Sequence, residues 1–297
     1  MRIMTRMTAV LICGFVAVSA FGREGGASVS LDAARGHLFI IGGGDRTEAM
    51  MKKFVELASG FGSGKIVIFT MASSVPDETG PELVEEFKKL GVGSVAYHHL
   101  SREQALAPET VRLLDGVGGV YFSGGDQAKH TAVLLDTPLH RRLLELYVQG
   151  AVMGGTSAGA AVMSEVMITG DERRKPEEGH EFETIETGNV ITTPGLGFIR
   201  TAIIDQHFVR RKRHNRLISL LAEHPRLLGV AIDESTAILV KPGQTFEVMG
   251  LGTVLVYDPT SARFELNSDK TFSATGIVLH VLTAGRQFNL RTRKILK

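Results

Sequence analysis

One serine in this sequence stands where a hydroxyl nucleophile would be displayed. Residues 155–159 read Gly-Thr-Ser-Ala-Gly, which sets Ser157 between glycines, after a short apolar run and before a small-residue stretch. A strand, tight turn and helix of this kind present a serine hydroxyl on a strained backbone. The amide of Ala158, at the start of the helix, is then one donor to a developing oxyanion. The alternative for Ser157 is a plain helix N-cap.

A serine nucleophile needs a general base, and His207 is the candidate among the ten histidines. It follows the buried-strand pattern TAIIDQ and lies near the start of the polar stretch 205–217. This position predicts the carboxyl end of a strand, where the Ser157 turn also lies. Asp233 and Glu234 follow the strand pattern GVAI, and either carboxylate can orient an imidazole. The order Ser, His, acid differs from the Ser, acid, His order of α/β-hydrolases.

Two further glycine-rich turns follow predicted strands, IIGGGDR at 40–46 and YFSGGDQ at 121–127. Ligands bind at the carboxyl ends of strands in open α/β sheets, so these turns can line one crevice with the serine turn. The first turn lacks the third glycine of a dinucleotide fingerprint, because Thr47 stands there, and we predict no cofactor. The adjacent His98 and His99 point to opposite faces of a strand, and we predict no metal site.

The elements that must position these residues alternate between β-rich and amphipathic stretches. From His37 onward, runs such as HLFII, KIVIFT and AVMGG are separated by helical patterns such as TEAMMKKFVELASG and HRRLLELYVQG. This rhythm predicts an α/β fold with a mostly parallel sheet flanked by helices on both faces. After about residue 227, closely spaced strand patterns predict a C-terminal antiparallel β section. The charged segment 170–189 lacks apolar periodicity and predicts an exposed loop.

The first 20 residues have the layout of a secretory signal peptide. Arg2 and Arg6 precede an apolar run that ends in small residues, which predicts cleavage after Ala20. The run is too short for a stable membrane anchor. A secreted or periplasmic location is therefore predicted.

The amino-acid composition limits the kinds of fold, site and partner that this chain can have. The chain is 43% hydrophobic, enough for a substantial core, and we predict a single domain over residues 30–297. Cys13, the only cysteine, falls in the signal peptide, which excludes disulfides and cysteine chemistry from the mature chain. Without the two leader arginines, the 33 basic residues become 31 against 32 acidic ones. This balance gives no reason to expect a nucleic acid partner.

Four separated motifs together resemble the cyanophycinases, a serine peptidase family related to the aspartyl dipeptidases, with a class I glutaminase-like fold. They are SGGDQ at 123–127, GGTSAGA at 154–160, DQHFVRRKRHNRL at 205–217 and AIDESTAIL at 231–239. The resemblance implies Ser157 as nucleophile, His207 as base and Glu234 as acid. It also implies a homodimer. The implied substrate is cyanophycin, a polyaspartate with an arginine on each side-chain carboxyl, and the implied product is a β-aspartyl-arginine dipeptide.

The same reaction needs an oxyanion site and a substrate pocket. Beside Ala158, an amide of Gly125 or Asp126 in the second glycine turn is predicted to stabilise the oxyanion. Arg213 and Arg216 are three residues apart and share one face if a helix starts there, which suits a carboxylate clamp. The resemblance implies six substrate-contacting residues, namely Gln127, Asp205, Gln206, Arg211, Arg213 and Arg216.

Two features of the sequence differ from the family pattern. They bear on which substrate is bound more than on which reaction is catalysed. Asn215 stands where the family pattern leads us to expect a small residue, and segment 170–189 is more charged than a glycine-rich counterpart. Two other functions therefore stay open. An α-aspartyl or isoaspartyl dipeptidase would keep the same three residues in another pocket, and a secreted binding protein would not use them.

Overall fold

A computed structural model describes residues 29–31, 33–177 and 179–296. The predicted signal peptide, residues 1–20, lies outside the described residues. Within them, no helix combines the length and the apolar character that crossing a membrane requires.

The described residues form strands and helices in alternation along the first half of the chain. The strands are β1 (His37–Ile41), β2 (Lys65–Phe69), β3 (Val95–His98), β4 (Val117–Phe122), β5 (Val152–Thr156), β6 (Val166–Glu172), β7 (Val190–Pro194), β8 (Ala202–Asp205), β9 (Leu228–Ile232), β10 (Thr236–Lys241), β11 (Thr245–Gly250), β12 (Val254–Asp258), β13 (Arg263–Leu266), β14 (Phe272–Thr275), β15 (Val278–Leu282), β16 (Gln287–Asn289) and β17 (Lys294–Leu296). The helices are α1 (Glu48–Ser59), α2 (Pro76–Lys89), α3 (Arg102–Leu106), α4 (Gln127–Leu134), α5 (Pro138–Gln149), α6 (Ala158–Ala161) and α7 (His214–Glu223), with a 3₁₀ helix at Pro108–Leu114.

The main sheet has nine strands in the order β17-β16-β11-β10-β1-β5-β4-β2-β3. Strands β1, β5, β4, β2 and β3 pair in parallel, which confirms the predicted parallel sheet. Strands β10, β11, β16 and β17 extend it with antiparallel pairing. The predicted C-terminal antiparallel section is therefore present, and part of it belongs to the main sheet.

A second sheet of four strands has the order β15-β12-β9-β8. In it β8 and β9 are parallel, while β9, β12 and β15 pair antiparallel. Strands β8 and β9 are connected through α7, as a parallel pair requires a crossover. The strands that lead to His207 and Glu234 consequently lie in the second sheet, whereas the strand that leads to Ser157 lies in the main sheet.

The core is layered because side chains alternate along each buried strand. In β1, Phe39 and Ile41 face a cluster that includes α1 and α2, whereas Leu38 and Ile40 face a cluster shared with the second sheet. Helix α7 covers the far face of the second sheet with three buried leucines, Leu217, Leu220 and Leu221. Helices thus cover both faces of the main sheet, as predicted, and the second sheet shares one of those faces.

Helix α6, which directly follows Ser157, packs so closely against the main sheet that no side chain fits between the two backbones. A Cβ atom on Gly159 would fall 2.1 Å from the carbonyl oxygen of Phe122 in β4. No side chain fits at this contact. The glycine after the serine therefore serves the approach of helix to strand.

We predict that Gly159→Ala lowers the free energy of unfolding by about 1–3 kcal/mol, because the added methyl group would push α6 away from β4. Gly93→Ala is the matched control, since a Cβ at Gly93 would meet nothing within 4 Å. Denaturant unfolding measures both variants. Equal stability of the two would contradict the close approach of α6.

Candidate active site

Ser157 occupies a strained turn between β5 and α6. Its backbone has φ 55° and ψ −109°, a conformation that residues with a side chain rarely adopt. The Ser157 N–H donates to the carbonyl of Ile41 at 3.0 Å, and the Ser157 carbonyl accepts from Ala160 and Ala161 in α6. Its hydroxyl makes no capping hydrogen bond to the helix. Ser157 therefore occupies the N-cap position of α6 without capping the helix through its side chain, and the turn has the geometry of a nucleophile elbow.

His207 and Glu234 complete a hydrogen-bonded chain with the serine. The Nε2 atom of His207 lies 2.9 Å from Ser157 Oγ, and its Nδ1 atom lies 2.6 Å from Glu234 Oε1. A carboxylate only accepts, so Nδ1 carries the imidazole proton and Nε2 is left to accept from the hydroxyl. Asp233 does not take part, because its Oδ1 accepts the backbone N–H of Arg210 at 3.0 Å. The structure thus brings the three predicted catalytic side chains together.

The first glycine turn holds all three of these segments. Three successive carbonyls at the end of β1 accept backbone N–H groups at 2.7–3.0 Å. The pairs, donor first, are Ser157 to Ile41, His207 to Gly42 and Ser235 to Gly43. Each donor residue has a positive φ, at 55°, 48° and 52° respectively. From the sequence this turn was predicted only to line the crevice, and its role in holding the three segments was not predicted.

Gly43 in the same turn lies directly against the imidazole. Its φ is +103°, and a Cβ there would fall 2.2 Å from Cε1 of His207. Only glycine fits both the conformation and the space. The run of three glycines after a strand was the available signal, since such a run allows a backbone to approach another group closely.

The electrostatics keep the base neutral and the carboxylate charged. Burial lowers the pKa of His207, the hydrogen bond to Glu234 opposes this, and the positive charges of Arg211 and Arg213 lower it further. The hydrogen bond from His207 lowers the pKa of Glu234. At neutral pH the imidazole is therefore able to accept a proton.

The second glycine turn, Ser123–Asp126, lies beside the serine, although one prediction for it is wrong. A Cβ on Gly124 would fall 3.6 Å from Ser157 Cβ. The Asp126 N–H is unavailable to an oxyanion because it donates to the Ala72 carbonyl at 3.0 Å, and the Asp126 side chain caps α4. The amides of Gly125 and Ala158 donate to no acceptor within the described chain, and their oxyanion role stays a prediction.

Two of the predicted substrate-binding residues form a buried ion pair instead. Arg216 Nε donates to Asp205 Oδ2 at 2.8 Å, and a second hydrogen bond joins Arg216 Nη2 to Asp205 Oδ1. The side chains are 1% and 0% exposed, and the ring of Phe182 lies 5.0 Å from the guanidinium carbon. The prediction that both contact the substrate is therefore wrong, since neither has a surface to offer.

The predicted clamp of Arg213 and Arg216 fails for a local reason. Helix α7 begins at His214, so Arg213 is the residue before the helix and does not share a face with Arg216. Arg213 instead donates from Nη1 to the carbonyl and to the Oε1 atom of Gln206, both at 2.7 Å. Gln127 is also committed to the protein, because its Nε2 donates to the Ile168 carbonyl at 2.8 Å.

Arg213 and Arg211 are the cationic groups that remain beside the base. Arg213 is half-buried and forms no ion pair with a carboxylate of the described residues, while Arg211 is exposed. Burial and the charges of Arg216 and Arg211 lower the pKa of Arg213, and the guanidinium still stays charged at neutral pH. A partly desolvated cation without a counter-ion favours an incoming anion.

Segment 170–189 is only partly the exposed loop that was predicted. Asn215 Nδ2 donates to the carbonyls of Phe182 and Glu183, both at 3.0 Å, which fixes the segment on α7. The Glu186 N–H donates to Ser219 Oγ at 3.1 Å, and Glu186 is buried. Asn215 and Ser219 of α7 thus hold part of segment 170–189 against this helix.

No group of three or more His, Cys, Asp or Glu side chains in the described part of the chain is arranged to hold a metal ion.

Comparisons with known proteins identify the family and the fold of this chain. Residues 38–248 match the model of Peptidase family S51. The cyanophycinase of Synechococcus elongatus is 33% identical over 270 residues, which cover 88% of this chain and 81% of that protein. The cyanophycinase of Nostoc sp. (strain PCC 7120 / SAG 25.82 / UTEX 2576) is 34% identical over 245 residues, covering 80% and 79%. The crystal structure of a peptidase from an acI-B1 Actinobacterium has the same fold, with a TM-score of 0.60 at 23% identity, over 87% of this chain and 98% of that chain.

We predict that Arg211→Gln moves the acid limb of Ser157 reactivity to higher pH. The positive charge of Arg211 disfavours the protonated imidazole, so its removal raises the pKa of His207 and the base is lost at a higher pH. The measurement is the rate of Ser157 labelling by a fluorophosphonate between about pH 5 and 8. Lys212→Gln, which removes an exposed charge that does not perturb His207, is the control. Coincident profiles for the two variants would contradict this account.

Proposed function

The chain belongs to Peptidase family S51 and is a peptidase, and we propose that its substrate is cyanophycin and its nucleophile Ser157. The observation that carries the proposal is the chain of 2.9 Å and 2.6 Å hydrogen bonds from Ser157 through His207 to Glu234. The relatives named cyanophycinase, about a third identical over most of the chain, support the substrate. The proposed product is the β-aspartyl-arginine dipeptide.

The proposed reaction is acyl transfer in two steps. His207 Nε2 takes the hydroxyl proton while Ser157 Oγ attacks the peptide carbonyl carbon, and the carbonyl oxygen becomes an oxyanion. His207 then gives the proton to the leaving amine as the peptide bond breaks, which leaves an acyl-enzyme. His207 then deprotonates a water molecule, which attacks the ester carbonyl carbon. As the ester bond breaks, His207 returns that proton to Ser157 Oγ and the acyl group leaves as a carboxylic acid. Glu234 stabilises the imidazolium that forms in each step.

The amides of Ala158 and Gly125 are the proposed donors to the oxyanion. The Ala158 amide follows the nucleophile at the start of α6, and Gly125 belongs to the turn beside Ser157. Backbone donors that are already in place stabilise the charge without reorganisation at the moment of reaction. Neither amide has another acceptor within the described residues, so both are available.

Arg213, with Arg211 nearby, is the proposed site for a substrate carboxylate. Cyanophycin carries free carboxylates on its arginines and at its chain end, and an exopeptidase must recognise such an end. Gln206, held by Arg213, adds a carboxamide to the same place. In this proposal Arg213 keeps the carboxylate-binding role that the sequence assigned to Arg213 and Arg216 together.

A related dipeptidase for α-aspartyl or isoaspartyl substrates is the second candidate. One observation favours it. Phe182 and Asn215 fix the charged segment 170–189 over Arg216, whereas the family resemblance leads us to expect a glycine-rich segment at this border of the site. Turnover of Asp-X dipeptides and of cyanophycin by one preparation separates the two candidates. The short hydrogen bonds of Ser157 and His207 disfavour a non-catalytic binding protein, and fluorophosphonate labelling of Ser157 would exclude it.

Export and a homodimer are part of the proposal. The layout of residues 1–20 supports a cleaved signal peptide, and the mass of the mature N-terminal peptide tests cleavage after Ala20. The homodimer rests on the family resemblance, and light scattering of the purified protein tests it.

We predict that Ser157→Ala lowers kcat for release of β-aspartyl-arginine from cyanophycin by a factor on the order of 10⁵ or more, because the acyl acceptor is lost. Mass spectrometry of the released dipeptide measures it. Ser164→Ala is the control, since Ser164 is a buried serine whose hydroxyl donates only to backbone carbonyls. Substantial product from Ser157→Ala would overturn the mechanism, whereas no product from the wild type would overturn the substrate.

We predict that Arg213→Gln raises KM for cyanophycin about tenfold or more, because one charge-assisted contact to a carboxylate is lost. Measurement at about pH 8 keeps His207 neutral in wild type and variant alike. The control is Arg210→Gln, which removes an exposed arginine from the same segment. An unchanged KM for Arg213→Gln would rule out the carboxylate site.

A further inference from the structure

His130 is a buried, titratable residue that the proposed reaction does not use. It lies in α4, directly after the second glycine turn, and its side chain has no exposed surface. Its ring stands edge-on to Phe122, with the two centroids 5.6 Å apart. A polar side chain in such a place needs a hydrogen-bond partner.

The partner of His130 is the backbone of the glycine turn. Its Nε2 atom lies 3.1 Å from the carbonyl oxygen of Ser123. A carbonyl only accepts, so Nε2 donates and Nδ1 is unprotonated. Nδ1 has no hydrogen-bond partner within the described residues. Burial lowers the pKa of His130 to about 4, so the ring is neutral and this tautomer persists at neutral pH.

This hydrogen bond fixes the first peptide plane of the turn. In a trans peptide the C=O and the following N–H point in opposite directions, so holding the Ser123 carbonyl also sets the direction of the Gly124 N–H. Gly124 is the residue of the turn that lies against Ser157, with a Cβ position 3.6 Å from the serine Cβ.

The rest of the turn is held in the same manner. Ser123 Oγ donates to the Gly124 carbonyl at 3.2 Å, which sets the next peptide plane and with it the Gly125 N–H. The Asp126 N–H donates to Ala72. The N–H groups of Gly124 and Gly125 are then the donors of the turn without an acceptor in the described chain. Hydrogen bonds to its carbonyl groups thus hold the turn, and the N–H groups of Gly124 and Gly125 are left to bind an acceptor from outside the described chain.

We propose that His130 is a positioning residue, which holds the Ser123–Gly124 peptide at the start of the turn and thereby fixes the backbone that orients the Gly125 amide toward the oxyanion formed on Ser157. This inference rests on the proposed function, because it assumes acyl transfer at Ser157. A pre-oriented donor acts mainly in the transition state. Loss of the His130 hydrogen bond therefore lowers kcat and leaves KM nearly unchanged.

The test compares two variants of nearly equal size, His130→Met and His130→Gln. Both lose the ring contact with Phe122, but only glutamine keeps an N–H donor for the Ser123 carbonyl. We expect His130→Met to lower kcat by a factor of between about 10 and 100. This is no larger than the effect on kcat of removing one oxyanion donor entirely. KM should stay within about twofold, and His130→Gln should recover most of kcat.

Leu134→Ala is the control for stability, since Leu134 is fully buried in the same helix. It should lower the melting temperature and leave kcat intact well below that temperature. Labelling of Ser157 by a fluorophosphonate gives a second rate that needs the oxyanion site but not cyanophycin. It should fall in His130→Met and recover in His130→Gln.

The outcomes separate the two proposals. Equal kcat and equal labelling rates for His130→Met and His130→Gln would overturn the role of His130 alone. A wild-type protein that is labelled but does not cleave cyanophycin would overturn the substrate, and the labelling rates would still decide the role of His130. A wild-type protein that shows neither reaction would overturn the mechanism and this inference together.

Discussion

The active site depends on one turn, in which the chain leaves β1 and offers three successive carbonyls to three other segments. The turn is central because Ser157 comes from the main sheet, whereas His207 and Glu234 follow strands of the second sheet. Hydrogen bonds of 2.7–3.0 Å join the turn to both. The residues it holds have positive φ angles, each of which costs on the order of 1–3 kcal/mol unless the surroundings enforce it. The glycines of the turn allow this contact because no side chain separates the backbone from the imidazole.

Some of the charged side chains around the site stabilise the fold, and others act on the catalytic base. Asp205 and Arg216 neutralise each other in the interior, and removal of either one alone would leave an uncompensated buried charge. Arg213, which directly precedes α7, has no carboxylate partner among the described residues, and its positive charge lowers the pKa of His207. The positive charges of Arg211 and Arg213 help to keep His207 neutral, and in the proposed reaction Arg213 would also bind a substrate carboxylate. Arg216 thus serves the fold, whereas Arg211 and Arg213 act on the base.

Several parts of this architecture were readable from the sequence. The alternation of apolar runs and amphipathic stretches predicted the parallel sheet, because strand and helix impose different periods on buried side chains. The glycines around Ser157 predicted the strained turn, because a strand that turns directly into a helix leaves no room for larger neighbours. His207 was recognised from its place after a buried strand. These inferences succeeded because each depends on residues that are close together in the chain.

The sequence by itself determined which elements form and which residues stand at their ends; the tertiary structure decided which of those ends meet. From the residues alone Asp233 and Glu234 were equivalent, and only the packed structure shows Glu234 on the imidazole and Asp233 on a backbone amide. The spacing of Arg213 and Arg216 suggested a shared face, but α7 begins one residue too late for that. Asp126 lost its predicted role to a hydrogen bond with the distant Ala72. The first and third cases share one reason, because hydrogen-bond partners depend on segments far apart in the chain, whose approach no local pattern encodes. The second is a helix boundary, which the spacing of two arginines does not fix.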